Sequence, residues 1–169
     1  MSKMRRYFEE GAVYFVTTVT RERKPLFRDP RLCRILLVTI EYYKTIFDYL
    51  VLGYCLMPDH IHLILKPGPK FNLSVIMKMV KGSFSRKVNR LDDRRGSLWQ
   101  SRYFEELIRS EKQLVAQLEY IHQNPLAAGL VSAVGDYLYS SFSQFEKNAD
   151  VKNAVLEIDF LDFTNIHAD

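Results

Sequence analysis

From Ala12 to Thr20 the chain reads AVYFVTTVT, a run of β-branched and aromatic residues that predicts a strand. Asp29-Pro30 opens a helix that runs to about Phe47, with Leu32, Ile35, Leu36 and Ile40 at helical spacing. Tyr49 to Met57 predicts a second strand, closed by the turn signal Pro58-Asp59. His60 to Lys66 (HIHLILK) predicts a third, stopped by Pro67-Gly68-Pro69, and the short connection makes the two a hairpin. A long amphipathic helix follows from about Asn72 to Leu91, then a charged loop over Asp92 to Gly96. Leu98 to Ile108 (LWQSRYFEELI) reads as a further, bent strand. Ser110 with Gln113 forms a capping box for a helix that should end at Asn124-Pro125, since proline cannot continue it. Leu126 to Asp169 reads as loop and short helices packed on the body.

The order βαββαβα is that of an α+β, ferredoxin-like split βαβ sandwich: an antiparallel sheet with helices on one face, plus a C-terminal extension. At 169 residues, without repeats or Gly/Ser-rich linkers, the chain reads as one domain over 1–169, with 132–169 as the extension. A composition 47% hydrophobic and 26% charged excludes a wholly disordered or fibrous chain. The longest apolar run, Tyr49 to Met57, is far short of the roughly 18 residues a membrane helix needs. No apolar segment follows the basic N-terminus, and Cys33 and Cys55 have neither metal-like nor redox-like spacing. The expectation is a cytoplasmic protein with free thiols, nucleoid-associated if bacterial.

Charge changes the picture through its distribution. The whole chain carries +4, but Glu146 to Asp169 holds six acids and two lysines, a net −4, so the preceding residues carry +8. A basic body suits an anionic partner such as nucleic acid. The acidic tail is a candidate competitor for the same surface.

The sharpest chemical feature is His60-Ile61-His62 on a predicted strand. Side chains alternate along a strand, so both imidazoles share one face while Ile61 and Leu63 take the other. Two such imidazoles can chelate a divalent metal, although a bare HxH is more often a pair of exposed histidines. On the last helix, taking about 100° per residue with Leu114 at zero, Leu118, Val115 and Ile121 define a buried stripe. Tyr120 falls near 240°, on the polar face with Gln113, Gln117 and Asn124, whereas His122 falls inside the stripe as a packed histidine. A phenol, with a pKa of about 10, is a poor nucleophile unless a metal or base assists it. A tyrosine near a metal therefore suggests attack on phosphorus, with the cation polarising the phosphate.

Three segments then resemble one family. Tyr54-Cys55-Leu56-Met57-Pro58-Asp59-His60-Ile61-His62-Leu63 is similar to the signature of HUH single-tyrosine transposases. Leu98-Trp99-Gln100-Ser101-Arg102-Tyr103-Phe104, with Ile108-Arg109, resembles the next block of their REP-associated branch. Tyr120-Ile121-His122-Gln123-Asn124-Pro125-Leu126-Ala127-Ala128-Gly129-Leu130-Val131 resembles that branch's catalytic block. The resemblance runs from about Tyr14 to Val131, in order. It implies His60 and His62 as ligands of Mg²⁺ or Mn²⁺ and Tyr120 as the nucleophile. It also implies a 5′-phosphotyrosine intermediate on single-stranded or hairpin DNA with palindromic repeats. The third ligand is implied to be Asn124, with Gln123 in reserve.

The helix from Asn72 to Leu91 is the expected DNA-binding element. Leu73, Ile76, Val80, Phe84 and Val88 form its apolar stripe, and Lys78, Lys81, Ser85, Arg86 and Arg90 fall mainly on the other side. Arg102 joins them from the second block, and Trp99, the one tryptophan, could stack on a base or lie under the sheet. Two rivals stand beside a transposase: a non-catalytic nucleic-acid-binding module on the same fold, and a relaxase or replication-initiator nickase. Monomer and helix-exchanged homodimer both remain open.

Overall fold

A computed structural model describes residues 11–146 and 154–161. The elements are β1 (Val13–Val19), α1 (Pro30–Phe47), β2 (Leu50–Met57), β3 (His60–Lys66), α2 (Leu73–Leu91), β4 (Phe104–Ile108) and α3 (Glu111–Ala127). The sheet runs β2-β3-β1-β4 with every neighbouring pair antiparallel, so α1 carries the chain from β1 to β2 across β3. This is the split βαβ arrangement read from the sequence.

The helices start where their caps allow. Asp29 accepts a hydrogen bond from the Arg31 backbone N–H with Pro30 as the first helical residue. Asn72 and Ser110 do the same for the N–H groups of Val75 and Gln113. The Gln113 side chain accepts from the Arg109 N–H, one residue before the cap, so the reciprocal bond reaches slightly further back than in a standard capping box.

The helices do not share one face. Tyr14 and Val16 of β1 and Ile61, Leu63 and Leu65 of β3 pack under α1 and α2. The alternate positions Val13, Phe15 and Ile64 pack with Leu114 and Ile121 of α3 on the other face. Both faces of β1 are largely apolar and buried, whereas β3 turns Ile61, Leu63 and Leu65 to α1 and α2 and His60, His62 and Ile64 to the other side. The fold therefore has three layers, with α3 alone over the histidine face.

Two boundaries also differ from the sequence reading. α3 does not stop at Asn124-Pro125 but continues through Pro125 to Ala127. Pro125 gives up its N–H bond and crowds the carbonyl one turn back, yet the helix continues to Ala127, and Gly129, at φ +68°, makes the stop. The Leu130 N–H donates to the Pro125 carbonyl, closing the last turn. The predicted strand from Leu98 is split: Trp99 forms one isolated bridge with Thr20, and regular pairing begins only at Phe104. Within α3, Leu114 and Ile121 are buried as expected, but Val115 is 47% exposed, so the stripe is narrower than predicted.

The outer edge of β2 is covered by the C-terminal extension. The Leu56 N–H donates to Tyr139, Ser141 donates to Tyr54, and Asp159 donates to Val51. The Asp159 carboxylate accepts from the Val51 N–H at 2.9 Å and pairs with Lys44 at 3.0 Å. An otherwise open strand edge is thereby closed. The described part of the acidic tail belongs to this edge; 147–153 and 162–169 lie outside the described residues. Cys33 and Cys55 are buried free thiols.

Candidate active site

His60 and His62 project from β3 towards α3, as strand alternation requires. Their Nε2 atoms are 3.2 Å apart. Each ring is held from behind. His60 Nδ1 lies 2.6 Å from Asp59 Oδ1, and His62 Nδ1 lies 2.7 Å from Thr17 Oγ1, its register partner on β1. Burial would raise the Asp59 pKa, but hydrogen bonds from His60 and Arg23 outweigh it and hold that carboxyl below its ordinary range. An ionised carboxylate only accepts, so the hydrogen shared with Asp59 sits on His60 Nδ1. His62 is 5% exposed; burial first, then the neighbouring His60, push its pKa down to about 3. His62 is therefore neutral at physiological pH, and its Nε2 faces His60 Nε2 and Asn124 Nδ2.

The aromatic surroundings order the site. Phe15 stacks on His62 with centroids 5.5 Å apart, and Tyr120 meets both rings edge-on, at 5.7 Å from His62 and 6.2 Å from Phe15. Phe104, 56% exposed, meets Phe15 from β4. Tyr120 is 54% exposed, so its phenol lies at the surface above a buried imidazole. One turn on, the Asn124 Nδ2 lies 3.3 Å from His62 Nε2. Because α3 runs unbroken through Pro125, Tyr120 and Asn124 keep i,i+4 spacing on one face. Gln123 faces solvent. His122 is packed, as expected: it is buried, with Nε2 2.9 Å from Ser141 Oγ.

Two imidazoles and a nearby amide form a donor set that a divalent cation could occupy. The two imidazole Nε2 atoms converge at 3.2 Å, close enough to share a proton or to bind one cation. Adjacent ligands on an octahedral ion with bonds of about 2.1 Å stand about 3.0 Å apart. Rotating the Asn124 amide would present its oxygen to the same point, an assignment set by the ligand rather than by the backbone. Among the described residues no group of three His, Cys, Asp or Glu side chains assembles, and the polar side chain beside the histidine pair is the Asn124 amide.

The basic residues of α2 lie on the opposite face of the sheet from the histidines. Lys78, Arg86 and Arg90 are exposed, Lys81 and Ser85 half-buried, and Arg102 is exposed beyond the helix. Trp99 is not a stacking platform. It is 3% exposed, and Phe27 and Phe84 pack against it at 5.7 and 5.3 Å. Sequence reasoning missed Thr17, Asp59, Phe15 and Phe104. Asp59 adjoins His60 in the turn and was open to notice; the other three depend on cross-strand register.

Residues 10–124 match the family described as IS200-like transposases, and the chain belongs to that family. Within it, the relatives are REP-associated tyrosine transposases. One from Haemophilus influenzae, whose name is itself provisional, is 33% identical over 155 residues, 84% of this chain and 86% of that one. The REP-associated tyrosine transposase of Escherichia coli K12 is 26% identical over 163 residues, 95% and 91% of the two chains. A solved REP-associated tyrosine transposase bound to a REP hairpin superposes with a TM-score of 0.72 at 25% identity, covering 96% of this chain and 92% of that one. The chain is thus an enzyme of the transposase family. Among the described residues no helix is long and apolar enough to cross a membrane.

Proposed function

We propose that this transposase nicks and rejoins single-stranded DNA at hairpin or palindromic repeats, in a divalent-metal-dependent reaction with Tyr120 as nucleophile. The observation that carries the reading is the convergence of Tyr120 and Asn124 from α3 on the His60–His62 pair of β3. The Tyr120 oxygen attacks the scissile phosphorus in line, and the bond to the 3′ oxygen breaks. The phenol proton passes to solvent, and the departing 3′ oxygen takes a proton to become a hydroxyl. The 5′ end stays on Tyr120 as a phosphotyrosine until a 3′-hydroxyl attacks it and restores the phenol.

His60, His62 and Asn124 would hold Mg²⁺ or Mn²⁺, which when bound supplies the positive charge that polarises the phosphate. Asp59 and Thr17 keep both imidazole Nε2 atoms aimed at that point. Phe15 fixes the plane of His62, and the exposed Tyr120 and Phe104 flank the approach of a flexible strand. The basic face of α2 follows the backbone of the DNA from the other side of the sheet. Tyr120 and the histidines meet within one chain. A DNA substrate places the work in the cytoplasm, at the nucleoid in a bacterium.

The test is a cleavage assay on single-stranded hairpin oligonucleotides with Mg²⁺ or Mn²⁺. A denaturation-resistant protein–DNA adduct, abolished by EDTA and by Tyr120→Phe, is expected. Binding without an adduct across varied hairpins would instead favour a non-catalytic module, and equal cutting by Tyr120→Phe would remove Tyr120 as nucleophile.

A further inference from the structure

The turn that follows β1 is strained. Glu22 and Arg23 both take left-handed conformations, at φ +57° and +51°. Residues with a side chain avoid that region, so two in succession compound the cost. Such strain persists only where the surroundings over-determine it, and it clusters at functional sites. Burial does not compensate for it here, because every residue from Arg21 to Pro25 is exposed.

The turn is tied instead to Asp59. The Thr20 N–H donates to the Asp59 carbonyl at 2.8 Å. The buried Thr20 hydroxyl lies 3.0 Å from that carbonyl and 2.8 Å from the Lys24 carbonyl. The N–H groups of Arg23 and Lys24 donate to the Thr20 and Arg21 carbonyls and close the bend. Charge is divided within it: Glu22 pairs with Arg21 at 3.7 Å and with Lys24 at 3.2 Å, whereas Arg23 turns to Asp59.

The Arg23–Asp59 contact completes a chain of bonds that ends on His60. Arg23 Nη1 donates to Asp59 Oδ2 at 3.0 Å, while Asp59 Oδ1 lies 2.6 Å from His60 Nδ1. One carboxylate oxygen thus serves the guanidinium and the other the imidazole. Asp59 stands in the two-residue turn between β2 and β3, where a carboxylate held by one oxygen is free to swing about its side-chain torsions. With both oxygens engaged its plane is fixed, and with it the direction of the His60 ring. The Arg23 side chain is 66% exposed, and a pair so open to water adds little to stability. Its effect is orientation.

We infer that Arg23 is a positioning residue of the active site: it fixes Asp59, and through Asp59 the aim of the His60 imidazole, with the left-handed turn holding it in place. The inference rests on the reading of His60 as a ligand of a divalent cation. It extends the support of that ligand to a residue 36 positions before Asp59 in the chain.

The experiment uses the full chain without DNA, so that no phosphate contact by Arg23 enters. Two quantities are read: the hydrogen on His60 Nδ1, from the ring nitrogen-15 shifts of the metal-free protein, and Mn²⁺ affinity by calorimetry. Arg23→Gln should displace hydrogen from Nδ1 and weaken Mn²⁺ binding about tenfold. Lys24→Gln, which removes the same charge one residue on, should leave both readouts at wild-type values. The melting temperature of Arg23→Gln should stay within about 4 °C of wild type, which separates lost orientation from lost folding. Asp59→Ala and the double variant Arg23→Gln/Asp59→Ala should bind Mn²⁺ equally weakly, because Arg23 then has nothing to act through.

Arg23→Gln that matches wild type in both readouts would overturn the inference. Additive losses in the double variant would do so too, since Arg23 would then act by another route. Wild type that takes up no Mn²⁺, with the Nδ1 hydrogen displaced in Arg23→Gln, would keep the positioning role and reject the metal reading. Mn²⁺ uptake that is lost in His60→Ala but unaltered in Arg23→Gln would do the reverse.

Discussion

Asn124 and His62 lie 62 positions apart in the chain, yet the Asn124 Nδ2 is 3.3 Å from His62 Nε2. That approach ties α3 to β3 at the point where Tyr120 stands over the same imidazole. Metal binding should consequently read out the contact. With Mn²⁺ or Mg²⁺ present, the wild-type melting temperature should rise, by about 2.7 kcal/mol of stabilisation at 100 times Kd. His60→Ala should abolish the rise, Asn124→Ala should diminish it, and Tyr120→Phe should leave it in place. A full rise in His60→Ala would contradict the assignment of that ligand.

Thr17 and Asp59 position the imidazoles without needing to touch the substrate. Thr17→Val keeps the shape of the side chain but removes the hydrogen bond to His62 Nδ1. Metal affinity should drop by about 10–100-fold, the usual effect of losing an outer partner. Asp59→Asn should act similarly through His60. Calorimetric Mn²⁺ titration checks both, and circular dichroism should show the fold unchanged.

His122 makes the protein sensitive to acid. Burial lowers its pKa from 6.5 to about 4. Below pH 6.5 the unfolded chain binds a proton that the folded chain refuses, so the unfolded state binds more protons and stability falls as pH falls. The loss runs from about pH 6.5 down to pH 4 and reaches on the order of 3 kcal/mol. His122→Gln, which can still bond to Ser141, should make that part of the stability–pH curve shallower in denaturant titrations at pH 7, 5.5 and 4, leaving the slope that His62 contributes. An unchanged slope would mean that His122 is protonated in the fold.

Gly53 sets how closely α3 approaches the sheet. A Cβ there would lie 2.4 Å from Leu118 Cδ2 and 3.5 Å from Ile121 Cδ1. Gly53→Val should force Leu118 aside and lift α3, costing about 1–3 kcal/mol as overpacking does. Leu118→Ala in the same chain should recover part of that loss, because it removes the colliding methyl. Urea unfolding of the two single variants and the double variant measures the coupling, and simple additivity would rule out the collision.

Local pattern was enough for much of this protein. The alternation through HIHLILK put His60 and His62 on one face, and the helical phase of α3 separated Tyr120 from the packed His122. Periodicity and caps are short-range, so they survive in a string of letters. Val115 shows the limit: its phase matched the buried stripe, but α3 touches the sheet over too narrow a strip to cover it.

Tertiary structure decided the rest. The apolar runs of β1 and β3 did not say which helix would cover which face, and α3 took the histidine face alone. Whether Pro125 ends α3 depended on Gly129 and on packing, and the continuation is what brings Asn124 rather than Gln123 to His62. Thr17 entered the site only through the β1–β3 register, and Trp99 went from candidate platform to buried core residue once Phe27 and Phe84 closed on it. The physical reason is common to all of these. Sequence spacing determines the direction of a side chain relative to its own backbone, whereas its neighbours come from packing between elements remote in the chain.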